Sequence, residues 1–163
     1  MDSEVFADVG AARRHRRLCT EIKDSLRELG IQLALLNHQV VAHLDLNDGD
    51  LHCLNITARY GPLSPSALAR RAGLHPATIT GILDRLERGG WVARERDPSD
   101  RRAVTVRVLR DRTAELLRLY SGMSTSMDEV CTRYTDTELE LLADFLRRTT
   151  DAGEHATRRL ADG

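Results

Sequence analysis

Nine arginines fall between Arg59 and Arg102, at 59, 70, 71, 85, 88, 94, 96, 101 and 102, against five carboxylates (Asp84, Glu87, Glu95, Asp97, Asp100), a local charge of +4. From Tyr120 onward nine carboxylates meet five arginines, a local charge of −4, while the whole chain sums to −1. Cations gathered in one segment of a near-neutral chain suit a polyanionic partner. Interleaved with them stand Ser64, Ser66, His75, Thr78 and Thr80. Hydroxyls and an imidazole near helix starts can meet phosphate oxygens, and threonine can also touch a base edge. A guanidinium fits phosphate or a narrow minor groove. The chemistry these residues suit is recognition of a nucleic acid, with no bond made or broken.

Such groups need elements to aim them. Ser64-Pro65 and His75-Pro76 each read as an N-cap followed by proline at the first helical position. The first opens a short helix with Leu68 and Ala69 inward, closed by Gly73. The second runs to Arg88 on an apolar stripe of Ile79, Ile82, Leu83 and Leu86, leaving Ala77, Thr78, Gly81, Asp84, Arg85 and Arg88 outward. Gly89-Gly90 turns the chain. Trp91–Arg96 and Val104–Val108 then alternate as two strands around the turn cluster Asp97-Pro98-Ser99-Asp100, and Leu63 adds a one-residue strand contact. Helix, turn, helix and hairpin in this order make a winged helix-turn-helix, with the second helix in the major groove and the hairpin beside it. Thr78 and Thr80 are candidate base or phosphate contacts, and Arg85 a phosphate contact. Arg94 and Arg96 either reach phosphates or pair with Glu95 and Asp97. Arg101 and Arg102 form the hairpin tip, oriented by Asp100.

The flanks read as helices. Leu18, Ile22, Leu26, Leu29, Leu33, Leu36, Val40 and Leu44 make one stripe of a long helix from Ala11 to about His43, with residues 1–10 frayed. A stripe this long needs a partner, and a second copy of the chain is the simplest. Asn47 or Asp48 caps the next helix (Leu51, Leu54 and Ala58 on one face), which Gly61-Pro62 ends with Gly61 left-handed. Past the hairpin, Asp111 or Thr113 caps a helix whose spacing fades near residues 121–124. A last helix starts at Thr135-Asp136 under a Thr135–Glu138 capping box, with Leu139, Leu142, Phe145 and Leu146 apolar. The expected architecture is mostly α with a small β-wing, a winged helix-turn-helix flanked by N- and C-terminal dimerisation helices. It is one domain over 1–163, with the winged part at 47–110 and dimerisation helices at 11–44 and 112–160.

LARRAGLHPATITGILDRLERGGW, from Leu68 to Trp91, resembles the recognition-helix region of the MarR family of bacterial transcription regulators, and DPSDRR at Asp97–Arg102 resembles that family's wing tip. The resemblance covers nearly the whole chain and is strongest from Leu63 to Val108. It implies a homodimer with interlocked terminal helices, a palindromic double-stranded DNA operator, repression, and release by a small organic effector or an oxidation. It also implies that Arg102 reaches into the minor groove. His38, His52 and Arg59 would line an effector cleft between the dimer helices and the winged part. One departure is Gly81, where many relatives carry an Arg or Lys that reads guanine. Specificity would then lean on Thr78, the wing and DNA shape. The alternative reading is a winged-helix protein-interaction or sensor module with weak DNA affinity.

Other chemistry finds little support. His38 and His43 are five apart, a poor spacing for two ligands on one helical face, and no HExxH or cysteine cluster occurs, so neither metal nor cofactor is expected. Cys19, Cys53 and Cys131 are odd in number and far apart, the pattern of reduced thiols, with Cys19 a small residue at the dimer seam. No GxSxG, phosphate-cradling glycine loop or dinucleotide fingerprint appears, so the chain is not expected to be an enzyme. Hydrophobic residues at 41% and charged residues at 30% are ordinary for a globular domain. No apolar run suggests a membrane span and MDSEVFADVG does not read as a secretory signal, so a cytoplasmic protein is expected.

Overall fold

The computed structural model describes residues 2–96 and 103–161. The described chain forms, in order, α1 (Asp2–Leu44), α2 (Asp48–Tyr60), α3 (Pro65–Ala72), α4 (Pro76–Arg88), β1 (Val92–Arg96), β2 (Val104–Val108), α5 (Arg110–Cys131) and α6 (Asp136–Ala161). The fold class is the expected one, mostly helical with a two-stranded wing. It divides into two compact units, one up to Leu116 and one from Leu117 onward.

In the first unit the core lies where α2, α3, α4 and the hairpin meet. Leu51, Leu54, Leu68, Ile79, Leu83, Leu86, Val92 and Val106 are fully buried there. Each such side chain contributes about 1.5–3 kcal/mol on leaving water, which makes this the stable platform for α4. The wing is antiparallel, pairing Val92 with Val108, Arg94 with Val106 and Arg96 with Val104. Leu63 adds the expected one-residue bridge to Val106, with N–H···O bonds of 3.1 and 2.7 Å in both directions.

Local signals set most element ends. Ser64 Oγ accepts the Ala67 N–H at 3.2 Å, Asn47 Oδ1 accepts that of Asp50 at 2.9 Å, and Gly73 closes α3 at φ 64°. Three ends differ from expectation. The first helix begins at Asp2 rather than Ala11, and Gly30 lies within it. Gly61 is extended (φ −72°, ψ 168°), not left-handed. Its glycine is needed for another reason, because a Cβ there would collide with the Thr57 carbonyl oxygen. Leu109, rather than Asp111 or Thr113, holds the α5 cap position, since the Thr113 N–H already donates to the Leu109 carbonyl at 3.0 Å.

The second unit holds the rest of α5, which runs unbroken past residues 121–124, and α6. Ser121 sits within α5 by donating its hydroxyl to the Arg118 carbonyl at 2.7 Å. The capping box at the start of α6 forms as read: Thr135 N–H donates to Glu138 Oε2 at 2.8 Å and Glu138 N–H to Thr135 Oγ1 at 3.4 Å. These bonds hold the Glu138 carboxyl below its usual range.

Candidate nucleic-acid interface

The surface around α4 follows from which of its faces is buried. Ile79, Ile82, Leu83 and Leu86 point into the core, so His75, Pro76, Ala77, Thr78 and Thr80 stand exposed at its N-terminal end. His75 is the N-cap, with Nδ1 accepting the Ala77 N–H at 3.3 Å. The Thr80 hydroxyl donates to the Pro76 carbonyl at 3.2 Å, while that of Thr78 has no partner among the described residues. A helix N-terminus with open polar side chains suits an anion. At the head of α3, Ser64 is spent on capping and lies 3.1 Å from Ser66 Oγ, and Ser66 itself is exposed.

Two arginines fix this helix in place. The Arg85 guanidinium grips Asp50 of α2 through Nε, 3.2 Å from both carboxylate oxygens, and Nη2, 2.7 Å from Oδ1. The Asp50 side chain is 4% exposed and that of Arg85 46%. The pair raises the Arg85 pKa, first through the hydrogen bond and then through charge. It leaves Nη1 and the second Nη2 hydrogen for solvent or a phosphate. Arg94 of β1 reaches back onto α4, 2.6 Å from Asp84 and 3.2 Å from Glu87, with a third bond to the Thr80 carbonyl at 3.5 Å. Its partners among the described residues are therefore on α4 rather than at Glu95, and Asp97 lies outside the described residues. Glu95 pairs instead with Arg107 across the hairpin at 2.6 Å, and that hydrogen bond lowers the Glu95 pKa. Arg94 thus ties the wing to α4. Arg96, the last described residue of β1, is exposed. Asp100, Arg101 and Arg102 lie outside the described residues.

A further brace was invisible in the sequence. Arg112 of α5 stacks over the buried Trp91 ring at 4.3 Å, donates to the Gly89 carbonyl at 3.1 Å and pairs with Glu115 at 2.5 Å. It anchors the Gly89-Gly90 turn, the joint between α4 and the wing. No local pattern marks it, since the stacked residues are far apart along the chain.

The remaining candidates are scattered over helix surfaces. His38 on α1, and His52 and Arg59 on α2, are all exposed, and no hydrogen bond or ion pair joins them among the described residues. Among the described residues no group of three His, Cys, Asp or Glu side chains is arranged to hold a metal ion. Cys53 is buried, and desolvation together with the nearby Asp50 charge pushes its thiol up to about 11. It is a protonated core residue at neutral pH. No described helix is long and apolar enough to cross a membrane.

A short helix, a turn, an exposed second helix and a hairpin braced against it define a winged helix-turn-helix protein. The MarR family model matches residues 46–104, which take in α2, α3, α4 and β1 and stop at the first residue of β2. The chain is 34% identical to the HTH-type transcriptional regulator YcgE of Bacillus subtilis over 134 residues, covering 82% of this chain and 87% of that protein. It is 33% identical to the HTH-type transcriptional repressor YetL of the same organism over 146 residues, covering 88% of this chain and 84% of YetL. Among solved structures, a MarR family protein from Bacillus stearothermophilus superposes with a TM-score of 0.64 at 22% identity, over 85% of this chain and 97% of that one. The chain belongs to the MarR family of transcription regulators, a family of regulators rather than enzymes.

Proposed function

We propose that this protein is a cytoplasmic, homodimeric repressor that binds a palindromic double-stranded DNA operator and is released by a small organic effector. The observation that carries the DNA reading is the joint presentation of α4 and the wing. Thr78 and Thr80 stand open on α4, and Arg94 locks β1 to the same helix through Asp84 and Glu87. Helix and hairpin can then enter adjacent grooves as one body. Thr78 and Thr80 meet base edges or phosphates in the major groove. Ser66, His75 and the free edge of Arg85 meet phosphates, with Ser64 shaping the α3 N-terminus. Arg96, Arg101 and Arg102 carry the wing onto the backbone and into the minor groove, oriented by Asp100.

The dimer reading rests on apolar surface left open at both ends of the chain. On α1, Leu18, Ile22, Leu29, Ile31, Leu33 and Leu35 are exposed, whereas Val40 and Leu44 at its far end are buried. On α6, Leu141, Leu142, Phe145 and Leu146 are exposed, Leu141 to 69%. Apolar stripes left open along long helices are interaction surfaces. His38, His52 and Arg59, accessible on α1 and α2, are the proposed effector contacts.

A gel shift on the DNA immediately upstream of the protein's own gene tests the proposal. Binding to one site is expected, with Arg102→Ala weakening it by about 1–3 kcal/mol while leaving the fold intact. Equal affinity for this duplex and for unrelated DNA of the same length would refute operator recognition. Unchanged affinity of the variant would remove Arg102 from it.

A further inference from the structure

We infer that the first two turns of α4 read thymine methyl groups in the major groove, and not guanine. The inference rests on the DNA-binding reading above and deepens it, naming the class of base pair that the helix selects. The cations of α4, Arg85 and Arg88, both stand in its last turn, so Pro76–Asp84 carries none. Arg85 is tied back to α2, with Nε and one Nη2 hydrogen on the buried Asp50 carboxylate. The two-pronged contact that distinguishes guanine, to O6 and N7 together, needs a guanidinium or ammonium within reach of the base, and the first two turns supply neither. The N–H groups that Asp50 leaves over, on Nη1 and Nη2, suit a phosphate.

What α4 does offer is small and methyl-bearing. Ala77, Thr78 and Thr80 are exposed. The Thr80 hydroxyl proton is spent on the Pro76 carbonyl, so its methyl and a hydroxyl lone pair are left to meet a base. Gly81 adds no side chain, and a Cβ there would find only Arg85 Nη1, at 3.8 Å. The central surface of the helix is therefore low enough to approach the groove floor closely. The apolar feature of that floor is the thymine C5-methyl. An alanine methyl, one or two threonine methyls and a bare backbone complement it, while Asp84, one turn further on, is held by Arg94.

The test uses the full-length protein and a pool of duplexes with randomised sequence. Selected half-sites are expected to place A·T pairs under α4. Replacing thymine by deoxyuridine, which removes only the methyl, should then weaken binding about threefold to fivefold at one or two positions per half-site. Replacing guanine by 7-deazaguanine, which removes N7, should change binding less than about twofold in that segment. Gly81→Arg, for which the site has room, should shift selection toward guanine at one position by about tenfold or more. If 7-deazaguanine abolishes binding while deoxyuridine is silent, the inference is overturned and the operator reading stands. Selection of no duplex at all overturns both.

Discussion

Removing either partner of the Asp50–Arg85 pair should destabilise the fold, but unequally. Asp50 is 4% exposed on its side chain and has its carboxylate bound by Arg85 alone among the described residues. Arg85→Ala would therefore strand a buried charge, a change that costs about 3–5 kcal/mol where no water can reach it. Asp50→Ala leaves Arg85, 46% exposed, free to turn into solvent, so its loss should be nearer 1–2 kcal/mol. At about 2–4 °C per kcal/mol for a chain of this size, Arg85→Ala should lower Tm by about 6–20 °C and Asp50→Ala by a few degrees. Urea and thermal unfolding at pH 7 would measure both, with protein concentration fixed because a dimer's stability depends on it. The double variant should be less destabilised than the sum of the singles, and close to Asp50→Ala alone. Equal losses, a reversed order, or simple additivity would refute the reasoning that the pair is a half-buried clamp between α2 and the recognition helix.

Cys53 gives a pH dependence. Its folded pKa of about 11 lies above the ordinary 9.0, so its contribution to stability is complete below pH 9 and is lost as pH rises toward 11. Cys53→Ala should remove that alkaline slope, at most about 2–3 kcal/mol in size, as followed by unfolding between pH 8 and 11. In the native protein at pH 8, iodoacetamide should leave Cys53 unmodified, as peptide mass mapping would register. Gly81→Ala should raise stability by about 0.5–1 kcal/mol, because the position is helical and a Cβ meets nothing closer than 3.8 Å; a loss of stability would mean that a glycine-specific conformation is needed there. Leu141→Glu with Leu142→Glu should convert the proposed dimer to monomers in sedimentation, and a doubly substituted chain that still dimerises would exclude the α6 face from the interface.

How much of this could be read from the sequence depended on the range of the interaction. Ser64-Pro65, His75-Pro76 and Thr135–Glu138 act within one helical turn, and all three formed as the local pattern dictates. A one-residue strand contact at Leu63 was expected, but its partner, Val106, lies 43 residues on and was not legible. Interactions between distant residues were not legible. Asp50 and Arg85 are 35 residues apart, and nothing near Asp50 distinguishes it from the exposed Asp48 beside it. Arg94 was weighed against its neighbours Glu95 and Asp97, whereas its partners among the described residues lie across the Gly89-Gly90 turn on α4. Arg112 would have needed the position of Trp91. Around residues 121–124 a weak local propensity was overridden by the continuing helix, and at Gly61 the residue type was informative but its reason was a close approach to Thr57 rather than a left-handed turn.

The central claim is that two copies of the α4–wing body grip one duplex through phosphates as well as bases. The most direct measurement is the affinity of the full-length protein for its upstream duplex by fluorescence anisotropy between 50 and 200 mM salt, with stoichiometry from the same titration. Two chains per duplex are expected, with a slope of log affinity against log salt of about −4 or steeper, as several displaced counterions require. One chain per duplex, or an affinity that does not fall with salt, would contradict the account.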